Sequence, residues 1–177
     1  MKENQPIINS SETIYRGFFD LKSDRLLRSD GQVLNYTSVF IAWSASVILA
    51  QDAEGRYVLN REYRHPIGQS ILGCPGGRIE KEEDPRRAAE RELLEETGYY
   101  SDDYALIGTC FPFPSLCNQK IFFFFAKNAY RKEEKKLDPF EFIETELKTE
   151  EELRQELKMG VPIDSLLLAA LWYKSTL

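Results

Sequence analysis

The period of apolar and polar positions changes several times along the chain. Residues 11–36 alternate in short runs that break at Ser29-Asp30-Gly31, which predicts antiparallel strands joined by a turn. From Phe40 to Leu49 almost every position is apolar or small, the mark of a strand covered on both faces. A turn at Ala53-Glu54-Gly55 leads into a second strand, RYVLNREYR, where Arg61 and Arg64 sit among apolar neighbours and are expected to share a face. Further strands are predicted for Tyr104–Cys110, for Lys120–Ala126 with its four successive phenylalanines, and for EFIETELK. The phenylalanine run reads as packed interior on both sides of a central strand.

Helical signals fall in three places. Asp84 followed by Pro85 is a helix start, because the aspartate accepts an orphan N–H and the proline presets φ; Gly98 is the matching stop. Thr149 with Glu152 forms a capping box for a helix ending near Gly160, and a last helix carrying SLLLAALWY follows Asp164. No internal repeat and no polar linker divides the chain.

Composition narrows the class. Hydrophobic residues at 42% and aromatics at 12% of 177 residues describe one globular domain with a sizeable core. A formal net charge of −6 offers no general attraction to nucleic acid or to an anionic membrane. The N-terminus lacks a signal-type apolar core and no apolar run has membrane-spanning length, so a cytoplasmic protein is expected. Cys74, Cys110 and Cys117 form no Cys-x-x-Cys pair, and His65 is the only histidine, which removes most zinc and histidine chemistries. Cys74 reads as a small packed residue, and His65 as structural or at a substrate edge.

The helix between Asp84 and Gly98 changes the picture. Glu92, Glu95 and Glu96 stand at i, i+3 and i+4, so their carboxylates leave one side within a turn. Arg91 and Glu95 are opposite charges at i, i+4, but Glu92 and Glu96 are like charges at that spacing. A purely solvated face has no use for this crowding, whereas a divalent cation turns the repulsion into attraction. All-oxygen donors suit Mg²⁺ or Mn²⁺ rather than zinc. Ahead of the helix, Gly73, Gly76 and Gly77 allow a tight loop whose backbone approaches a ligand.

Gly77, Glu83, Arg91, Glu92, Leu93, Glu95, Glu96 and Gly98 together resemble the Nudix box in register. Tyr99 fills the final apolar position with an aromatic. Beyond the box, REYRHP, Pro114 sixteen positions after Gly98, and the tail with Gly160 and Asp164 resemble the ADP-ribose and nucleoside diphosphate sugar pyrophosphatases.

The resemblance implies a Nudix-type α/β/α sandwich with a mixed sheet over residues 39–177. Before it comes an antiparallel β extension, residues 1–38, that serves a homodimer. It also implies Mg²⁺-dependent hydrolysis of a nucleoside diphosphate sugar to nucleoside monophosphate and sugar phosphate. Metal ligands would be Glu92, Glu95, Glu96, the Gly76 carbonyl and Glu83, the last directly or as a neighbour to the ligands. Arg91 would orient the glutamates, and Arg61, Arg64 and Pro114 would border the substrate, the arginine fork suiting a diphosphate. On the loop where these relatives carry a basic glutamate, this chain offers Asn118 and Gln119; an amide positions a water but takes no proton, which leaves Glu95 as the favoured base ahead of Glu83. Two other readings stand beside this one: a Nudix-fold nucleotide sensor with little turnover, and an enzyme for nucleoside triphosphates or dinucleotides.

Overall fold

The computed structural model describes residues 5–177. The chain forms two compact units: one takes in the chain as far as Ser44 together with Phe111–Lys120, and the other comprises Ala45–Cys110 and Ile121–Leu177.

In the first unit, β1 (Ile7–Tyr15), β2 (Asp20–Leu27) and β3 (Val33–Phe40) make an antiparallel sheet in that order. The β2–β3 hairpin turns where Gly31 adopts φ 83°, at the predicted Ser29-Asp30-Gly31 break. The loop Phe111–Lys120 is stitched to this sheet. Val39 N–H donates to the Leu116 carbonyl at 2.9 Å, and the Tyr36 hydroxyl donates to the Ser115 carbonyl.

The expected single strand from Phe40 to Leu49 is instead two, because β3 ends at Phe40 and β4 (Ala45–Asp52) begins in the other unit. The side chain of Asn118 takes over both backbone groups of Ile41, accepting from its N–H at 2.7 Å and donating to its carbonyl at 2.9 Å. With those groups satisfied off the ladder, the strand has nothing to continue.

The second unit is built on an eight-stranded mixed sheet. Its elements in chain order are β4, β5 (Tyr57–Arg64), β6 (Gln69–Gly73), β7 (Gly76–Arg78), α1 (Pro85–Thr97), β8 (Tyr99–Tyr100), β9 (Asp103–Cys110), β10 (Ile121–Arg131), β11 (Ile143–Lys148), α2 (Glu150–Lys158) and α3 (Ser165–Lys174). The central path runs β11-β5-β4-β10-β8, with β6 on β5, β7 on β4 and β9 on β10. Only β4 and β10 pair in parallel; the other named pairs are antiparallel.

Side chains of β4 and β10 alternate between two buried clusters, as the period of two in a strand requires. Val47, Leu49, Phe123 and Phe125 join Leu59, Leu153 and Leu167 on the side of α2 and α3. Ile48, Ala50, Phe124 and Ala126 join Val58, Ala89 and Leu93 on the side of α1. This is the expected α/β/α sandwich, and the phenylalanine run supplies both of its interiors.

Candidate active site

The site grows from the way β7 and α1 meet the sheet. In β7, Gly76 lies opposite Val47 and Gly77 opposite Ser46. A Cβ on Gly76 would stand 2.4 Å from the Ser46 carbonyl oxygen, so only glycine lets the two backbones pass this closely. Asp84 caps α1 by accepting from Arg86 N–H at 2.9 Å, and Pro85 occupies the first turn while its carbonyl accepts from the Ser46 hydroxyl at 2.7 Å. Gly98, at φ 75°, ends the helix with its N–H on the Leu94 carbonyl at 2.8 Å. Start and stop coincide with the sequence expectation.

Between these caps the three glutamates differ in setting. Glu92 and Glu96 are buried, at 9% and 5% exposure, while the Glu95 side chain is 45% exposed. Glu96 lies against the sheet and its Oε2 accepts two bonds, from Asn60 Nδ2 at 2.8 Å and from the Gly76 N–H at 2.9 Å. Gly76 therefore touches the cluster through its N–H. Gly77 adjoins Glu92 so closely that an added Cβ would fall 2.5 Å from Oε1.

Arg91 ties the rest together. Its Nε and Nη2 hold Glu83 at 3.0 and 3.1 Å, its Nη1 holds Glu92 at 2.7 Å and Glu95 at 3.1 Å, and Nη2 also donates to the Arg78 carbonyl at 3.0 Å. Although the position points away from the acidic face by one residue, the long side chain returns to it. The bond with Glu83 is the main cause that raises the guanidinium's affinity for its proton, and the same bond holds the Glu83 carboxyl below its usual range.

Glu92 and Glu96 go the other way. Burial pushes both carboxyls up, Glu96 well above the ordinary range, against the hydrogen bonds that favour the charged forms. Glu62 of β5 is raised by burial as well, and Glu141, on the segment before β11, adds like charge at Glu62, Glu92 and Glu96. Anionic groups so crowded and desolvated are matched by a hard divalent cation, and the all-oxygen donors fit one. Among the described residues no three His, Cys, Asp or Glu side chains are grouped as a ready metal cage. Arg91 instead occupies acceptor oxygens on Glu83, Glu92 and Glu95.

The two candidate substrate arginines do not share a face. Residues 60–64 of β5 pair with β6 without a bulge, and an odd separation along a strand places side chains on opposite sides. Arg61 faces α2, where it pairs with Glu146 and lies 3.7 Å from Glu156. Arg64 lies on the side of Asn60 and Glu62, its Nη1 donating to Glu62. Pro114 and Gln119 belong to the first unit. Cys74 packs against the cluster on the α2 and α3 side, and burial raises its thiol's affinity for the proton, so it is no activated nucleophile. His65 opens a short 3₁₀ turn, His65–Ile67, at the end of β5.

Asn60, Glu62 and Glu141 went unnoticed in the sequence. A lone asparagine in the apolar run YVLN was the one available signal for the first; Glu141 had none, since only the fold brings it near the acidic helix.

The sequence profile of the NUDIX domain matches residues 41–171. A methanol dehydrogenase activator of Bacillus methanolicus is 34% identical over 130 residues, which are 73% of this chain and 70% of that protein. An ADP-ribose pyrophosphatase of Bacillus subtilis (strain 168) is 35% identical over 101 residues, 56% of this chain and 55% of that protein. The crystal structure of an ADP compounds hydrolase superposes with a TM-score of 0.88 over 99% of this chain and 95% of that one; at 23% identity this likeness speaks for the fold. With the box residues gathered on one capped helix beside the glycine loop, the chain belongs to the NUDIX family and is a pyrophosphohydrolase resembling its ADP-ribose pyrophosphatase group.

Proposed function

We propose that the protein hydrolyses the pyrophosphate bond of ADP-ribose or a related nucleoside diphosphate sugar with Mg²⁺, or Mn²⁺ in its place, yielding a nucleoside monophosphate and a sugar phosphate. The observation that carries this is the pair of buried carboxylates set beside Gly76–Gly77, Glu92 braced by Arg91 and Glu96 by the neutral donors of Asn60 and Gly76. A bound Mg²⁺ would neutralise the diphosphate and lower the pKa of a coordinated water.

Glu92, Glu95 and Glu96 are the residues to hold it, with Glu83 kept in place through Arg91. Arg64 is the arginine to meet the diphosphate, because it lies on the α1 side of β5 and is 44% exposed. The charge of Arg61 is engaged by Glu146 and Glu156 on the other side. Two carboxylates can take the proton: Glu95, half-exposed on the box helix, and Glu141, which acts electrostatically on Glu92 and Glu96.

The test is product release from a panel of ADP-ribose, other sugar nucleotides, dinucleotides and nucleoside triphosphates with Mg²⁺. Turnover confined to triphosphates or dinucleotides, or binding without turnover, would sink the substrate assignment. Within that assay Glu95→Gln and Glu141→Gln separate the two bases, the true one losing about 10²–10⁴-fold in kcat. The relative named for activating methanol dehydrogenase supports a second reading, an action on a dehydrogenase; no change in a dehydrogenase's rate on adding the protein dismisses it.

We also infer a homodimer through the N-terminal sheet, whose exposed apolar residues include Ile7, Ile8, Ile14 and Leu34. A molar mass near 20.5 kDa at micromolar concentration, in active protein, would overturn it. The three free cysteines support a reducing, cytoplasmic setting, which cell fractionation checks.

A further inference from the structure

We propose that Asn60 is a positioning residue that fixes Glu96 as a metal ligand, an assignment resting on the metal-assisted reading above. Asn60 is 1% exposed and sits mid-strand in β5, its backbone between Thr145 of β11 and Gly73 of β6. A residue anchored by ladders on both sides has little freedom to follow its partner, so its side chain sets where the partner goes.

That partner is Glu96. Asn60 Nδ2 and the Gly76 N–H converge on the same oxygen, Oε2, at 2.8 and 2.9 Å. Two donors on one oxygen fix the carboxylate plane. Among the described residues Oε1 accepts no hydrogen bond and is left to offer a ligand. Metal-binding carboxylates depend on such neighbours, and losing one weakens metal affinity or activity about 10–100-fold.

The other end of the amide argues that Asn60 is there for its donor. Asn60 Oδ1 is buried with no hydrogen-bond partner. An unpaired buried acceptor is destabilising, and the neighbouring Val58 and Leu59 show that apolar side chains suit this strand. A residue selected only for packing here would be apolar.

Asn60→Leu tests this, since it roughly keeps the volume while removing both the donor and the orphan acceptor. The melting temperature in chelator is expected to stay within a few degrees of wild type, because the lost bond and the lost orphan offset one another. The Kd for Mn²⁺, measured by calorimetry on the full chain, is expected to rise about 10–100-fold. A folded variant that binds Mn²⁺ within twofold of wild type overturns the proposal. Should leucine overpack the site, Asn60→Val is smaller, suits a strand and gives the same comparison. Failure of both variants to fold also overturns it, in favour of a structural residue. Mn²⁺ uptake that depends on Glu96, by Glu96→Gln, but not on Asn60 defeats this assignment alone; uptake that ignores Glu96 defeats the metal reading with it.

Discussion

Adjacent glycines at the head of the box should respond to alanine in opposite ways. In Gly77→Ala the new Cβ falls 2.5 Å from Glu92 Oε1, 2.6 Å from its Cδ and 2.7 Å from Oε2. Ordinary contact begins near 3.4 Å, so the carboxylate must retreat by roughly 1 Å. It is the far end of a flexible side chain and can do so, which leaves stability within about 1 kcal/mol, or roughly 2–4 °C in Tm. The same 1 Å is large for catalysis, where misplacement on that scale costs about 10²-fold. In Gly76→Ala the Cβ falls 2.4 Å from the Ser46 carbonyl oxygen and 2.9 Å from Val47 Cα, both backbone of a central strand. Neither can yield without breaking the β4–β7 pairing, and a loss above about 3 kcal/mol is expected. Thermal melts in chelator, Mn²⁺ titration and nucleotide-sugar turnover read all three effects. The reasoning is refuted if Gly77→Ala keeps wild-type metal affinity and rate, or if Gly76→Ala melts within 2 °C of wild type.

Arg64→Ala is expected to raise KM for the nucleotide substrate about tenfold with little change in Tm, and Arg61→Ala to lower Tm by a few degrees with KM intact; the reverse pattern would exchange their roles. Arg91→Lys cannot span Glu83, Glu92 and Glu95 at once, so Mn²⁺ affinity should fall about tenfold, and an unchanged titration would show that the fork is dispensable. In metal-free protein the raised carboxyls of Glu92 and Glu96 keep protons that the unfolded chain has already released, so stability should fall as pH rises above about 4.5 toward their folded values. Glu83 is shifted the opposite way and affects stability only below that window. Melts in chelator that show no such fall, or the same fall in Glu96→Gln, would contradict this assignment.

What could be read in advance was whatever the chain encodes locally. The Asp84-Pro85 start, the Gly98 stop and the Thr149–Glu152 capping box each lie within one helix, and each formed as spaced, the box with Thr149 Oγ1 accepting from the Glu152 N–H and the Glu152 carboxylate accepting from the Thr149 N–H. The near-continuous apolar runs that became β4 and β10 likewise announced two interiors. The failures came where a partner distant in sequence decides. Asn118, 77 positions away, ends β3 by capturing Ile41, and no apolar pattern at residues 40–49 records that. The two arginines fall on opposite faces for a different reason: their apolar neighbours suggested a shared face, whereas their separation of three already excluded one.

The electrostatics explain why the acidic face can exist at all. Glu62, Glu83, Glu92, Glu95, Glu96 and Glu141 meet around α1 and the end of β5, where Arg91 bonds Glu83, Glu92 and Glu95 and Arg64 bonds Glu62. One arginine cannot balance the buried members, because Arg91 bonds Glu92 but not Glu96, whose neighbours are the neutral donors of Asn60 and Gly76. Neutral donors orient a carboxylate without cancelling its charge. The folded protein therefore retains an unmet demand for positive charge at the deepest glutamate, on the side where Gly76 and Gly77 bring backbone close. A divalent cation with bound water meets that demand, and an anionic diphosphate could approach the face only once it is met. On the metal-assisted reading proposed above, Glu96 would link fold and reaction: the sheet holds its carboxylate, and its uncompensated charge would call for a cation before a substrate.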